Sequence, residues 1–313
     1  MLGYLVRRLA MMVPTLLLVS MAVFAMVRLI PGDPVQLMLG DTADPAQVVE
    51  MRRQLGLEEA LPVQFALWLG KVATGDFGKS ISNGLPVLPL MLERFQVSAS
   101  IVLSAVFLAT LIAVPAGMIA AWRQNRPLDL MIVAGATLLL SIPSFWLGLL
   151  LLLLFGLKLG WLPVVGYVPF SEDPGKALLF IVLPVATLTM IEIGVLIRMS
   201  RASAIEVLRL EYVTHARAKG LSEMRVLARH VLPNAFAPTW TMIGLTLGHL
   251  LGGIAVLETV FTLPGLGRLL VDSIFARDYP VVQGCLLFVA GIYVLVNLFV
   301  DLLYPLFDPR VTA

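Results

Sequence analysis

Six stretches of this chain, roughly residues 9–30, 97–121, 131–155, 178–198, 237–258 and 280–304, are apolar over lengths that match a lipid bilayer. A transmembrane helix needs about 20 predominantly apolar residues to cross a hydrocarbon core roughly 30 Å thick. In lipid only helices and closed barrels satisfy every backbone N–H and C=O. The six runs are continuously apolar rather than alternating, so they read as helices. The expected fold is an all-α integral membrane protein with six transmembrane helices. Composition agrees: the 313 residues are 59% hydrophobic and 13% charged, with a mean hydropathy of +0.94. Soluble domains are about 45–50% apolar and about 25% charged.

The basic residues orient the chain. Arg7 and Arg8 precede the first run, Arg123 and Arg126 lie in the 122–130 loop, and Arg201, Arg209, Arg217, Lys219, Arg225 and Arg229 lie in the 199–236 loop. These three regions share one side. The short loops of the opposite side carry only Lys158, Lys176, Arg268 and Arg277, and the long 31–96 segment dilutes Arg52, Arg53, Lys71, Lys79 and Arg94. Short basic loops stay cytoplasmic, whereas long segments translocate largely regardless of charge. Both termini and the 199–236 loop are therefore expected in the cytoplasm. The first run reads as a retained helix. It is too long for a signal-peptide core and ends at Pro31-Gly32-Asp33-Pro34 without a small-x-small cleavage site.

The domain organisation is then residues 1–30 as the N-terminal helix, 31–96 as an extracytoplasmic segment and 97–313 as a five-helix core carrying the 199–236 loop. The 31–96 segment is expected to pack as a cap over the outer mouth. Pro45 to Gly56 reads as a short helix with Asp44 as N-cap, and Gly75-Asp76-Phe77-Gly78 as a turn.

Several chemistries are excluded or left without support. The net charge of +2 does not argue for nucleic acid. The single cysteine, Cys285, cannot form an internal disulfide, and His215, His230 and His249 are too scattered for a metal site. No catalytic constellation lies in the spans. Gly78-Lys79-Ser80 resembles the end of a phosphate-binding loop, but the full pattern needs glycine at position 73, where Ala73 stands. The energy for any transport is expected to come from a partner.

Within the spans, Pro115, Pro143 and Pro184 each remove a backbone hydrogen bond and are expected to kink their helices. Gly244, Gly248 and Gly252 form a small-residue stripe that allows close helix approach. The stripe serves either packing within the chain or contact with a second membrane subunit. Intramembrane polar groups are functional candidates by default. Glu192 lies ~9 Å along the helix axis from Arg198 and reads as its partner. His249 reads as a bond across helices, with pore lining the second reading, and Glu258 sits at the outer end of the same span. Asn297, Asp301 and Tyr304 share one face of the last helix and read as stabilising hydrogen bonders.

The 199–236 loop carries the most specific signal. Residues 203–219 are good helix formers ending at Gly220, and Ser222 is placed to cap a second helix, which Pro233 and Asn234 would break before the fifth span. Ala216, Gly220, Leu232 and Pro233 match the late part of the EAA loop of ABC importer permeases. Thr214, His215 and His230 depart from the general pattern. Glu211-Tyr212-Val213 and Ala216-Arg217-Ala218-Lys219-Gly220-Leu221 fit the dipeptide, oligopeptide and nickel branch closely. Other landmarks that resemble this branch follow in order: Leu5-Val6-Arg7-Arg8-Leu9, Pro31-Gly32-Asp33-Pro34, Gln54-Leu55-Gly56-Leu57, Gly75 to Ser80, Pro264-Gly265-Leu266-Gly267, Arg277 to Gln283, Asn297 to Tyr304, and Asp308-Pro309-Arg310.

The resemblance implies a permease fold with a cytoplasmic coupling helix, residues 211–221, seated in a cleft of an ATPase subunit. Glu211, Arg217 and Lys219 would offer charged contacts, and Ala216, Ala218 and Gly220 would permit close approach. It also implies a second homologous permease, two ABC ATPase subunits that hold ATP and magnesium, and an extracytoplasmic binding protein. This chain itself would hold no cofactor and would not be an enzyme. The expected cargo is short peptides, with nickel, glutathione or opines as alternatives. An ion-gradient-driven transporter, the rival class, usually shows internal repeats and midplane charges. Neither is evident here.

Overall fold

The computed structural model describes residues 2–29 and 58–307, together with Asp44, Ala46, Val49, Arg52 and Arg53. The Pro31–Pro34 and Gln54–Leu57 motifs, most of the helix expected over 45–56, and Asp308-Pro309-Arg310 lie outside the described residues. Asp44 does accept a hydrogen bond from Ala46 N–H at 3.0 Å, as an N-cap would.

Among the described residues the chain is built from helices. They are α1 (Leu2–Leu29), α2 (Leu61–Ala73), α3 (Val87–Trp122), α4 (Pro127–Ser141), α5 (Ser144–Leu151, continued by a π-helical Leu152–Lys158), α6 (Pro174–Leu208), α7 (Glu211–Ala218), α8 (Glu223–Val226), α9 (Leu232–Gly253), α10 (Ala255–Val260), α11 (Leu266–Phe275) and α12 (Tyr279–Phe307). Four of these, α1, α3, α6 and α12, are long and apolar enough to cross a membrane, and α4 with α5 makes a fifth if the bent pair is one span. The remaining expected span, 237–258, is realised as α9 and α10. Its 22-residue first part carries Pro233, Pro238, three threonines and His249, which dilute its apolar character.

The expected third span is broken. Its two halves meet at 97° around Ile142 and Pro143. Proline disfavours the helical conformation in the residue before it, and Ile142 is accordingly extended, at φ −91° and ψ 124°. Pro115 and Pro184 behave differently and lie within the continuous helices α3 and α6.

Helices α3 and α6 form the core. Half of the apolar window of α3 and 61% of that of α6 are buried, against 17% for α1 and 6% for α12. The two helices touch backbone to backbone. A Cβ on Gly117 would meet the Ile197 carbonyl at 2.8 Å and the Arg201 nitrogen at 2.9 Å. Hydroxyls cross the same seam: Thr189 Oγ1 donates to the Ala105 carbonyl at 3.3 Å and Ser200 Oγ to that of Val114 at 3.2 Å. Such small and hydroxylated residues suit helix contact in lipid, where no hydrophobic drive favours association. Gly194 does the same for α4, lying against the Ala136 carbonyl. Below this contact Arg201 clasps Asp129 through two hydrogen bonds of 2.6 and 2.7 Å, and Asn125 N–H completes the carboxylate's shell at 2.9 Å.

The glycine stripe is filled from within the chain. Gly244 lies against Val300, Gly248 against the Tyr293 ring and Gly252 against Val289, all on α12. A hydrogen bond from Trp240 Nε1 to the Val300 carbonyl at 3.1 Å adds to this close fit, so the chain's own last helix takes up the stripe. Helix α1 lies outermost, tied to α12 by an Arg8–Asp301 ion pair. It meets α2 through Phe24, whose ring is 5.5 Å from Phe65 and 5.7 Å from Trp68.

The 74–86 connection packs back onto the core rather than hanging free. Gly75 and Gly78 take the left-handed conformation, with φ of +85° and +81°. Phe77 and Leu88 then join a cluster of Val87, Leu90, Met91, Leu266, Val281 and Cys285.

Candidate functional site

The 199–236 loop is built on the far ends of the two core helices. Helix α6 stops at Leu208, Leu210 turns extended at ψ 143°, and α7 begins afresh at Glu211. The single helix expected over 203–219 is thus two helices. The break lets α7 fold back and bury Val213 and Ala216, one helical turn apart, in a cluster with Val114, Met118, Ala204, Val207, Val226 and Leu227. Leu221 is half-buried against the same cluster.

Gly220 ends α7 as expected. Its φ is +79°, its N–H reaches the Arg217 carbonyl at 2.9 Å, and Leu221 N–H reaches that of Ala216 at 3.4 Å. This is the left-handed cap that glycine provides without Cβ strain. Ser222 occupies the N-cap position of α8, but its side chain makes no cap bond. Nor does Pro233 break the following helix. A proline crowds the carbonyl four residues before it; the wider π turn over Leu227–Val231 gives that room, and α8 runs through it into α9.

The nine residues expected to contact a partner therefore divide. Val213 and Ala216 are buried, so Ala216 serves the chain's own core rather than close approach by a partner. Arg217 is half-buried and engaged within the loop: its Nε donates to Glu223 Oε1 at 2.9 Å and Nη2 to Oε2 at 3.2 Å. It fixes the α7–α8 turn instead of projecting a free charge. Glu211, Tyr212, Ala218, Lys219 and Gly220 face outward, with Thr214 and His215 beside them. Sequence reasoning missed Leu210 and Met224. They are 46% and 63% exposed, next to Tyr212 at 40%, on a loop outside the apolar spans. Large apolar side chains left exposed outside the spans are candidates for an interaction site.

The polar groups of the spans are placed as follows. Glu192 is buried against Thr246 of α9, and among the described residues no ion pair joins it to Arg198. His249 is exposed on α9, and among the described residues no hydrogen bond joins it to another helix. Asn297 bonds within its own helix, to the Tyr293 carbonyl at 2.9 Å. Glu258 is fully buried at the end opposite α7. Ser98 Oγ donates to its Oε1 at 2.6 Å and Arg268 N–H to its Oε2 at 2.7 Å, while Leu266 N–H donates to Ser98 Oγ at 2.9 Å. The carboxylate and the serine thus satisfy the first N–H groups of α11. Gly265 leaves the space for this, since a Cβ there would overlap the carboxylate. The loop that resembles a phosphate site also has an internal occupant. Ile81 and Ser82 N–H and Ser80 Oγ all donate to Asp278.

Residues 113–313 match the model of the binding-protein-dependent transport system inner membrane component, and residues 1–102 match the model of its N-terminal part. The chain belongs to this family of ABC importer permeases. It is 39% identical to a probable peptide ABC transporter permease of Sinorhizobium fredii, with 98% of each chain covered. It is 37% identical to the dipeptide transport system permease DppB of Alkalihalophilus pseudofirmus and 42% identical to the glutathione transport system permease GsiC of Escherichia coli K12, with 99% of each covered. Among solved structures, an inward-facing form of the MetNI methionine ABC transporter aligns with a TM-score of 0.58 at 18% identity, over 70% of this chain and 96% of that one. That likeness carries the fold alone. An inner-membrane permease built of apolar helices is therefore established for this chain.

Proposed function

We propose that this permease forms part of the translocation path of an importer for short peptides. ATPase subunits would drive it by engaging α7 and the α7–α8 turn from the cytoplasm. The observation that carries this reading is the outward face of the loop, where Leu210, Tyr212 and Met224 are exposed along with Glu211, His215 and Lys219. The inward face of α7 is anchored on the ends of α3 and α6, so a push on α7 acts directly on the core helices, which is a physical coupling. The peptide cargo is supported by the names of the full-length relatives. Glutathione, itself a tripeptide, fits the same reading.

In this reading both termini are cytoplasmic, a second permease completes the path, and a binding protein delivers cargo from outside. The filled glycine stripe directs the search for the subunit contact elsewhere on α9, where His249 and Leu245 are exposed.

The test is affinity purification of the tagged chain from gently solubilised membranes. Co-recovery of ATPase subunits and a second permease, with ATP-dependent dipeptide uptake after reconstitution, is expected. Met224→Glu and Ala218→Glu should abolish ATPase recovery while the chain stays in the membrane. Undiminished recovery with both variants overturns the docking assignment. Uptake that persists without the ATPases and collapses with an uncoupler overturns the importer mechanism.

A further inference from the structure

Arg94, Pro264, Gly265, Arg268, Leu269 and Asp272 line a pocket of ≈ 300 Å³ where the first turns of α3 meet the α10–α11 connection. Arg94 and Met118 lie on the same helix, and Met118 packs beneath α7. Their separation of 24 residues is ~36 Å along the axis, more than the roughly 30 Å hydrocarbon core. The pocket and the coupling surface therefore open on opposite faces of the membrane.

The chemistry of the lining is unbalanced. Two guanidiniums face one carboxylate, and that carboxylate is a loose partner: Arg268 Nε lies 3.6 Å from Asp272 Oδ2, and Asp272 is 66% exposed. Arg94 Nε is buried and meets no acceptor among the described residues. A buried guanidinium donor without an acceptor is a costly arrangement that an anion would relieve. Glu258 is not the missing acceptor. It lies behind Gly265, and its oxygens are taken by Ser98 Oγ and Arg268 N–H. Pro264 and Leu269 add apolar wall beside the cations.

We propose that this pocket receives the carboxylate of the incoming peptide, held by Arg94 and Arg268, with the adjoining side chain against Pro264 and Leu269. The proposal rests on the peptide-import reading and on the orientation that places α7 in the cytoplasm. A free carboxylate is common to unblocked peptides of every sequence. A site that reads it tolerates varied side chains, and forked guanidinium–carboxylate bonding gives it direction. The volume is at the small end of ligand sites; it suits one terminal residue rather than a protein surface.

The test uses the permease–ATPase complex in nanodiscs without binding protein, with dialanine and dialanine amide as probes and thermal stability as the readout. Dialanine is expected to raise the melting temperature saturably and the amide to leave it unchanged. Arg94→Gln and Arg268→Gln should each weaken the dialanine midpoint at least tenfold. Wild-type melting temperatures in the absence of probe would show that both variants fold. Equal shifts with acid and amide, or midpoints unmoved in both variants, overturn the pocket. So does a variant that loses co-sedimentation with the binding protein but keeps the dialanine response. ATP-dependent dipeptide uptake by the wild-type complex with its binding protein is scored separately, so a failed pocket and a failed import reading give different results.

Discussion

Ser80 Oγ donates a hydrogen bond to Asp278 Oδ2 across 198 residues of sequence, and Ile81 and Ser82 N–H converge on the same carboxylate at 3.1 and 3.2 Å. Asp278 is 2% exposed, and it stands immediately before α12. One side chain thus ties the connection entering α3 to the start of the last helix. Asp278→Asn keeps the shape but loses the charge and turns one acceptor into a donor facing N–H groups. It should cost about 1–3 kcal/mol, and Ser80→Ala about 1 kcal/mol. Thermal unfolding in detergent and proteolysis of the 79–86 turn measure both; an unchanged turn in Asp278→Asn would sink the assignment.

The Arg217–Glu223 clasp predicts a coupling defect of conformational origin. Both side chains are over a third exposed, so the pair contributes on the order of 0.2–1 kcal/mol. Arg217→Glu and Glu223→Arg should each reduce peptide uptake per ATP hydrolysed several-fold, and the charge-swapped double variant should recover most of it. Failure of the swap to recover would show that Arg217 contacts the ATPase directly.

Gly220 predicts a separation of folding from coupling. A Cβ there meets open space, yet φ is +79°. Gly220→Ala should cost about 1 kcal/mol from the left-handed backbone alone, and Gly220→Asn less. Gly220→Arg should still reach the membrane but hydrolyse ATP without uptake. Uptake at the wild-type level in that variant would count against α7 as the docking element.

The glycine stripe predicts a compensating pair. In Gly248→Ala the new methyl runs into the Tyr293 ring, an overpacking cost of about 1–3 kcal/mol. Tyr293→Ala should relieve that clash, so the double variant should melt higher than the sum of the single losses implies. Strict additivity would mean that α9 and α12 do not meet at this pair.

The apolar runs were legible because a bilayer demands long, uninterrupted segments, and the loop motif was legible because its residues are contiguous. The 97° bend was signalled by Pro143, but Pro115 and Pro184 looked the same on paper. Only the backbone separates them: it breaks at Ile142 before Pro143 and stays helical through Pro115 and Pro184. The filling of the stripe by Val300 and Tyr293 could not be read, since facing residues lie some 45 to 56 positions away. Arg217 looked like a free charge because its partner, six positions on, lies beyond helical i,i+4 spacing. The turn at Gly220 brings Glu223 back to it. Leu210 and Met224 passed as ordinary apolar residues until their exposure was known. Distance along one helix pairs Glu192 with Arg198, while the hydroxyl that meets its carboxyl, Thr246, comes from another helix.

Helix α3 is continuous over 36 residues, ~54 Å of rod, with the arginine pocket near one tip and the bed of α7 near the other. A rod of that length converts angle into travel. A tilt of about 10° pivoted at one tip carries the other ~9 Å sideways. With α6 hydrogen-bonded along its flank, the two would swing as one stiff beam, so travel of several ångströms at one tip needs no deformation of the helix itself.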